Sequence, residues 1–246
     1  MSVFAIADLH LSFGVPEKTM EAFGLVWKHY AEKIESAWRE FITEEDLVLV
    51  AGDISWAMSL EKAQIDLEWI GNLPGTKVMI KGNHDYWWSS LAKVQTILPP
   101  SCHLIQNNAF SWKDCTIGGA RLWDTDEYDF SAYIDFQETN VSPSEEPKPT
   151  PAKIFNRELN RLELSLQALD PNATHRLVMT HYPPISSSLA SSKVSALLEK
   201  YRIDICVFGH LHNVKPKALP FGETRGVAYY LTSCDYLDFK PIKILE

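Results

Sequence analysis

Five short apolar runs in this chain each give way to a residue that can bind a metal or move a proton. That repetition constrains the fold more than any other feature. Residues 3–7 lead to Asp8 and His10, and residues 47–51 to Gly52 and Asp53. Residues 77–81 lead to Gly82, Asn83, His84 and Asp85, residues 176–180 to His181, and residues 204–208 to Gly209, His210, Leu211 and His212. Runs of about five such residues are too short for helices and suit buried strands. In layered α/β sheets ligands gather beyond the carboxyl ends of the strands, which is where these side chains fall.

The stretches between the runs have helical spacing. Met20, Phe23, Trp27, Tyr30, Ile34, Ala37 or Trp38, and Phe41 recur every three or four residues and predict one long amphipathic helix. Leu60, Ala63, Leu67 and Ile70 predict a second, stopped by Gly71 and Pro74-Gly75. Trp87, Leu91, Val94 and Leu98 predict a third that begins near Tyr86 and ends at Pro99-Pro100. Phe155, Leu159, Leu162, Leu166 and Leu169 mark a fourth; Ala190, Val194, Leu197 and Tyr201 mark a fifth. Strand and helix thus alternate three times before residue 100, the pattern of a layered α/β domain with a largely parallel sheet. Residues 101–121 read as hairpin strands, and residues 227–232 and 241–245 as closing strands. Because the candidate site draws on both ends of the chain, residues 1–246 are expected to form a single domain.

Taken singly, each of these residues has a plain structural use. An aspartate at a strand end is usually a turn or cap residue, and a lone histidine is more often surface or satisfied core than a ligand. His29, His103 and His175 belong in that class. The other five of the eight histidines all lie just past apolar runs. The spacing of two in Asp8/His10 and His210/His212 would put each pair on one face of a continuing strand.

Taken in order, Asp8-x-His10, Gly52-Asp53, Gly82-Asn83-His84-Asp85, His181 and Gly209-His210-x-His212 resemble the signature of the calcineurin-like metallophosphoesterases, or binuclear metallophosphatases. The resemblance implies an α/β fold built as a four-layer α/β/β/α sandwich, two mixed sheets flanked by helices. It implies two divalent metal ions, manganese, iron or zinc with manganese foremost. Asp8, His10 and His212 would hold one ion, Asn83, His181 and His210 the other, with Asp53 between them. Mixed imidazole and oxygen ligation without thiolate suits such ions better than a structural zinc site. His84 is implied as the catalytic residue, touching the phosphate and protonating the leaving oxygen. Asp85 either orients His84 or caps the helix expected to follow. The implied reaction is hydrolysis of a phosphomonoester or phosphodiester by a hydroxide activated between the metals. A nucleotide-linked pyrophosphate hydrolase would carry the same ligands. A non-catalytic binding module on the same fold would be marked by a lost ligand, and none is lost here.

One segment departs from the family pattern. Its protein serine/threonine phosphatases carry Gly-Asp-x-x-Asp-Arg-Gly, whereas Gly52-Asp53 continues here as Ile54-Ser55-Trp56-Ala57, without the acid or the arginine. Arg121, after Gly118-Gly119-Ala120, is the candidate replacement as a substrate phosphate contact, with a surface salt bridge as its alternative use. Residues 123–151 interrupt the pattern with an acidic, aromatic stretch running to Phe136, followed by a tract containing Pro143, Pro147, Pro149 and Pro151. This segment is either a cap over the site or a surface insertion. Its charge would oppose polyanions and suit a small phosphorylated substrate.

Bulk properties narrow the partners. A formal net charge of −9 gives no basic footprint for nucleic acid. No run approaches 18 apolar residues, so no membrane span is expected. Four scattered cysteines, with no Cys-x-x-Cys pair, and a start that enters a strand at once point to a cytoplasmic protein.

Overall fold

The computed structural model describes residues 1–135, 150–215 and 221–246. The apolar runs form strands of two sheets laid face to face. In the first sheet, β1 (Val3–Ile6), β2 (Leu47–Val50), β3 (Thr76–Ile80) and β4 (Cys102–Ile105) run parallel, and a late strand, Ile242–Leu245, pairs antiparallel with β1. In the second sheet, β5 (Phe110–Trp112) and β6 (Cys115–Ala120) form an antiparallel hairpin. Parallel to β6 lie β7 (His175–Thr180), β8 (Ile205–Phe208) and, beyond β9 (Glu223–Thr224) in sequence, β10 (Val227–Leu231). With Ile242–Leu245 as β11, the orders are β11-β1-β2-β3-β4 and β5-β6-β7-β8-β10-β9.

Side-chain alternation explains the layering. Successive residues of a strand point to opposite faces, so a strand covered on both sides is apolar throughout. Ala5, Leu49, Val78, Leu177 and Val207 fill the space between the sheets. Phe4, Val48 and Met79 face the helices α1 (Tyr30–Phe41), α2 (Leu60–Gly71) and α3 (Leu91–Gln95). On the far side, Val178, Cys206 and Phe208 face α4 (Pro151–Gln167) and α5 (Lys193–Lys200). Two mixed sheets flanked by helices are the architecture expected. Lys77, fully buried on β3, has its ammonium satisfied by the carbonyls of Leu73, at 2.6 Å, and Gly75, at 2.8 Å, just past the end of α2.

Several expectations need correction. The first helix is confined to Tyr30–Phe41, preceded by three short 3-10 turns, because Gly24 (φ 129°) and His29 (φ 53°) take left-handed backbone that no continuous helix accommodates. The third helix begins at Leu91, not near Tyr86. Residues 102–105 are not part of a hairpin: β4 joins the first sheet beside β3. The fifth helix starts after Ser192, leaving Ala190 outside it, and buries Val194, Ser195 and Leu198. Phe136 and the prolines at 143, 147 and 149 lie outside the described residues, while Pro151 opens α4. All four cysteines are free and buried.

Candidate active site

The loops that leave β1, β2, β3, β7 and β8 meet along one edge of the sandwich. The expected ligands are not on continuing strands. Asp8 (φ 60°), His10 (φ 44°), Asp53 (φ 51°) and His210 (φ 71°) all adopt left-handed backbone, a conformation that costs on the order of 1–3 kcal/mol per residue and is over-represented at functional sites. Asp8 and His10 still come together, through turns rather than along a strand, whereas the His210/His212 pair divides: His212 turns toward Asp8 and His10, and His210 toward Asn83.

Two groups of donors result. In the first, His10 Nε2 lies 3.2 Å from His212 Nε2, and Asp8 Oδ1 lies 3.8 Å from His212 Nε2. In the second, Asn83 Oδ1 lies 2.7 Å from His181 Nε2 and 3.1 Å from His210 Nδ1. Asp53 stands between them, with Oδ2 3.7 Å from His10 Nε2 and 3.4 Å from His181 Nε2. Asp8, His10, Asp53 and His181 are almost completely buried.

Charge makes a cation the natural occupant. Two buried carboxylates face one another, and burial together with the charge of Asp53 raises the Asp8 carboxyl to about 6. Burial also opposes ionisation of Asp53, but His181, His10 and His84 outweigh it and hold Asp53 well below the usual carboxylate range. His181 and His212 are pushed up to about 9 against their burial, His181 by Asp53 and Asp8, His212 by Asp235 and Asp8. Protons on these imidazoles supply positive charge that divalent ions would replace on binding. The buried His10 ring and the convergence of oxygen and imidazole nitrogen atoms fit such ions.

The loops are tied together by groups whose roles the sequence did not reveal. Asp85 neither caps a helix nor hydrogen-bonds to the His84 ring. Fully buried, it accepts hydrogen bonds from the N–H groups of Ile54 (2.9 Å), Ser55 (3.1 Å) and Gly82 (2.7 Å) and from the Trp87 indole (3.1 Å). It thereby fastens the loop carrying Asn83 to the loop carrying Asp53. The His84 N–H donates to Asp53 Oδ1 at 2.8 Å. The His84 ring packs against Trp56, with centroids 4.5 Å apart, and the opposing stack of Trp56 on His10 is 4.9 Å. Trp56 stands where the protein phosphatases carry their acid, so an aromatic face replaces a carboxylate beside His84. Asp235 Oδ1 lies 2.9 Å from His212 Nδ1 and fixes that ring. Asp235 lies in the loop after β10, separated from the strand by Thr232, Ser233 and Cys234.

Arg121 lies beside this edge. Its carbonyl accepts the N–H groups of His181 (3.2 Å) and Tyr182 (3.0 Å), while its guanidinium donates to Glu158 Oε1 at 3.1 Å and sits 4.7 Å from the Trp123 ring centre. The salt-bridge use is therefore realised, in a half-buried setting. Beyond His210, a cavity of about 490 Å³ is lined by Trp123, Tyr128, Phe130 and Tyr182, with Asp124 and Asp126 also on its wall. Tyr182 packs against His210 with ring centroids 3.9 Å apart, which joins the cavity to the donor cluster.

A family model described as calcineurin-like phosphoesterase matches residues 1–214. Among solved structures, the phosphopantetheinyl hydrolase PptH from Mycobacterium tuberculosis superposes with a TM-score of 0.55 at 15% identity, over 99% of this chain and 95% of that one. The protein of unknown function AQ665 from Aquifex aeolicus gives 0.52 at 16% identity, over 98% and 95%. At such identities the likeness is one of fold. No curated protein matches the sequence.

Proposed function

Because the chain belongs to the calcineurin-like phosphoesterase family, we propose that its converging loops form a two-metal site that hydrolyses a small phosphomonoester or phosphodiester. The hydrolase class follows from the family; the ligand assignments, the metals and the substrate are our reading. The observation that carries it is the position of Asp53, between one set of donors from Asp8, His10 and His212 and another from Asn83, His181 and His210. Two divalent ions held there, manganese foremost, would acidify a water and withdraw charge from the phosphoryl oxygens.

The chain's own residues do the rest. Asp53 stays ionised, Asp85 locks its loop to that of Asn83, and Asp235 holds His212 in one orientation. Burial lowers His84 and favours its neutral form. The charge of a bound phosphate would oppose that shift and favour the protonated ring, which could then give its proton to the leaving oxygen. The aromatic cavity beside His210 accommodates the organic part of the substrate, and Asp124 and Asp126 disfavour anions on that flank.

The test is a hydrolysis panel of mono-, di- and pyrophosphate esters with added manganese, run on three proteins. Wild type should hydrolyse at least one ester. His84→Ala should lose about 10²–10⁴-fold in turnover with metal still bound, and Asp53→Asn should lose metal. Unchanged hydrolysis in both variants would sink the mechanism, and no hydrolysis by wild type would favour a binding module. A preference for pyrophosphate bonds would select the nucleotide-linked alternative.

A further inference from the structure

Next to the donor cluster lies a groove with the opposite charge to the rest of the molecule. It is a cavity of about 220 Å³ whose lining includes Lys81, Arg121, Arg157, Glu158 and Arg161. Glu158, 2% exposed, accepts from three guanidinium groups through one oxygen: Arg121 at 3.1 Å, Arg157 at 3.1 Å and Arg161 at 2.9 Å. With Lys81, four cations surround one carboxylate, an excess of three positive charges in a chain whose net charge is −9.

Satisfying Glu158 does not explain the cluster. One bidentate arginine pairs a carboxylate, whereas three sharing a single oxygen repel one another. Each guanidinium carries five N–H donors, and most are not used on Glu158. The buried Arg121 Nε has no partner among the described residues. Glu158 therefore anchors an array of donors whose spare N–H groups need an acceptor.

Topology places the array. The donor cluster stands on the loops after β1, β2 and β3 in one sheet and β7 and β8 in the other. The groove uses the ends of β3 (Lys81) and β6 (Arg121), closed by α4. β6 is the neighbour of β7, so the groove continues the same edge by one strand, about 5 Å.

We propose that this groove is a subsite for a second phosphate of the substrate, carried about 5–10 Å from the scissile one on the flank away from the aromatic cavity. Arg157 and Arg161, half exposed on α4, and Arg121 beneath them grip it, and Lys81 adds charge on the opposite wall. Planar guanidinium forks match phosphate oxygens, and the local excess of charge suits a dianion. This narrows the expectation that the acidic segment turns polyanions away: it does so only on its own flank. The substrate class becomes a small molecule bearing two phosphates with an uncharged or aromatic remainder. The assignment rests on the phosphoesterase reading for the first phosphate but not for the groove itself.

The deciding experiment titrates inorganic pyrophosphate into chelator-treated full-length protein by calorimetry. Chelation removes metal-mediated anion binding at the donor cluster, and the share of the remaining binding that is lost in the arginine variants reports the groove. Wild type should bind, more weakly as salt rises, and Arg157→Ala/Arg161→Ala should bind at least tenfold more weakly while keeping its melting temperature. Both residues are on the solvent side of α4; if the double variant unfolds, Arg161→Gln alone should still weaken binding several-fold. With manganese restored, kcat/KM for a glycerol bisphosphate should fall at least tenfold more in the variant than kcat/KM for a glycerol monophosphate. No pyrophosphate binding by wild type, equal binding by the variants, or an equal fall for the two esters would overturn the subsite. Pyrophosphate binding without hydrolysis of any ester would remove the phosphoesterase reading and leave the anion groove standing.

Discussion

The ligand candidates were legible because their chemistry is carried by residue type. A single aspartate or histidine after a buried strand has an ordinary structural use, but the coincidence repeats five times. The residues that hold those ligands were not legible, because a carboxylate that accepts backbone N–H groups has no sequence mark separating it from a cap. Asp85 shows this: its partners, Ile54 and Ser55, are thirty residues away. Asp235 was harder to find, since Thr232, Ser233 and Cys234 separate it from the apolar run of β10. It orients His212 through a hydrogen bond, and partners of this kind typically alter metal affinity about 10- to 100-fold. Asp235→Asn should therefore raise the manganese concentration for half-maximal activity by that factor, with turnover at saturating metal largely kept. A metal titration followed by activity checks it; an unchanged half-saturation point would exclude the orienting role.

At the scale of elements, periodicity located every strand that carries the site but misjudged the helices. Residues 20–27 have helical spacing, yet Phe23, Leu25 and Val26 are exposed, so no core rewards one continuous helix there. Ile34 and Trp38, completely buried, contribute roughly 1.5–3 kcal/mol each and keep α1 where it is. β4 was misassigned because a strand's apolar alternation does not say which sheet it joins. The loop after β3 is equally demanding. A Cβ on Gly82 would overlap the backbone nitrogen and carboxylate of Asp53, so the two loops meet only because that residue has no side chain. Gly82→Ala should displace Asp53, lowering stability by about 1–3 kcal/mol and metal content with it. Thermal melting and metal analysis of the purified variant would show both losses, and a variant with full metal occupancy would contradict the close approach.

At the scale of the molecule, the two sheets are held together by the apolar layer between them and by the donor cluster at one edge. Each cation would be gripped from both sheets, Asp8 and His10 answering His212, Asn83 answering His181 and His210. Ions bound at about a hundred times their dissociation constant would stabilise the fold by about 2.7 kcal/mol per site. For a chain of this size that is about 5–10 °C in melting temperature per site. Chelation should lower the melting temperature accordingly and manganese should restore it; a melting curve indifferent to metal would mean that the loops do not clamp ions between the sheets. The layered architecture was legible from strand-helix alternation, whereas the split into two sheets was legible only through the family resemblance, since both sheets are built from the same kind of apolar run.

The pairing of β11 with β1 also bears on how the molecule is made. During synthesis β1 leaves the ribosome long before the strand that covers its outer edge, residues 242–245. His210, His212 and Asp235 also emerge late. A nascent chain complete through α5 therefore already carries Asp8, His10, Asp53, Asn83 and His181, but it has an open β edge and only part of the donor cluster. Open edges recruit other strands. Until residues 242–245 emerge that edge stays uncovered, and the donor cluster waits on His210, His212 and Asp235.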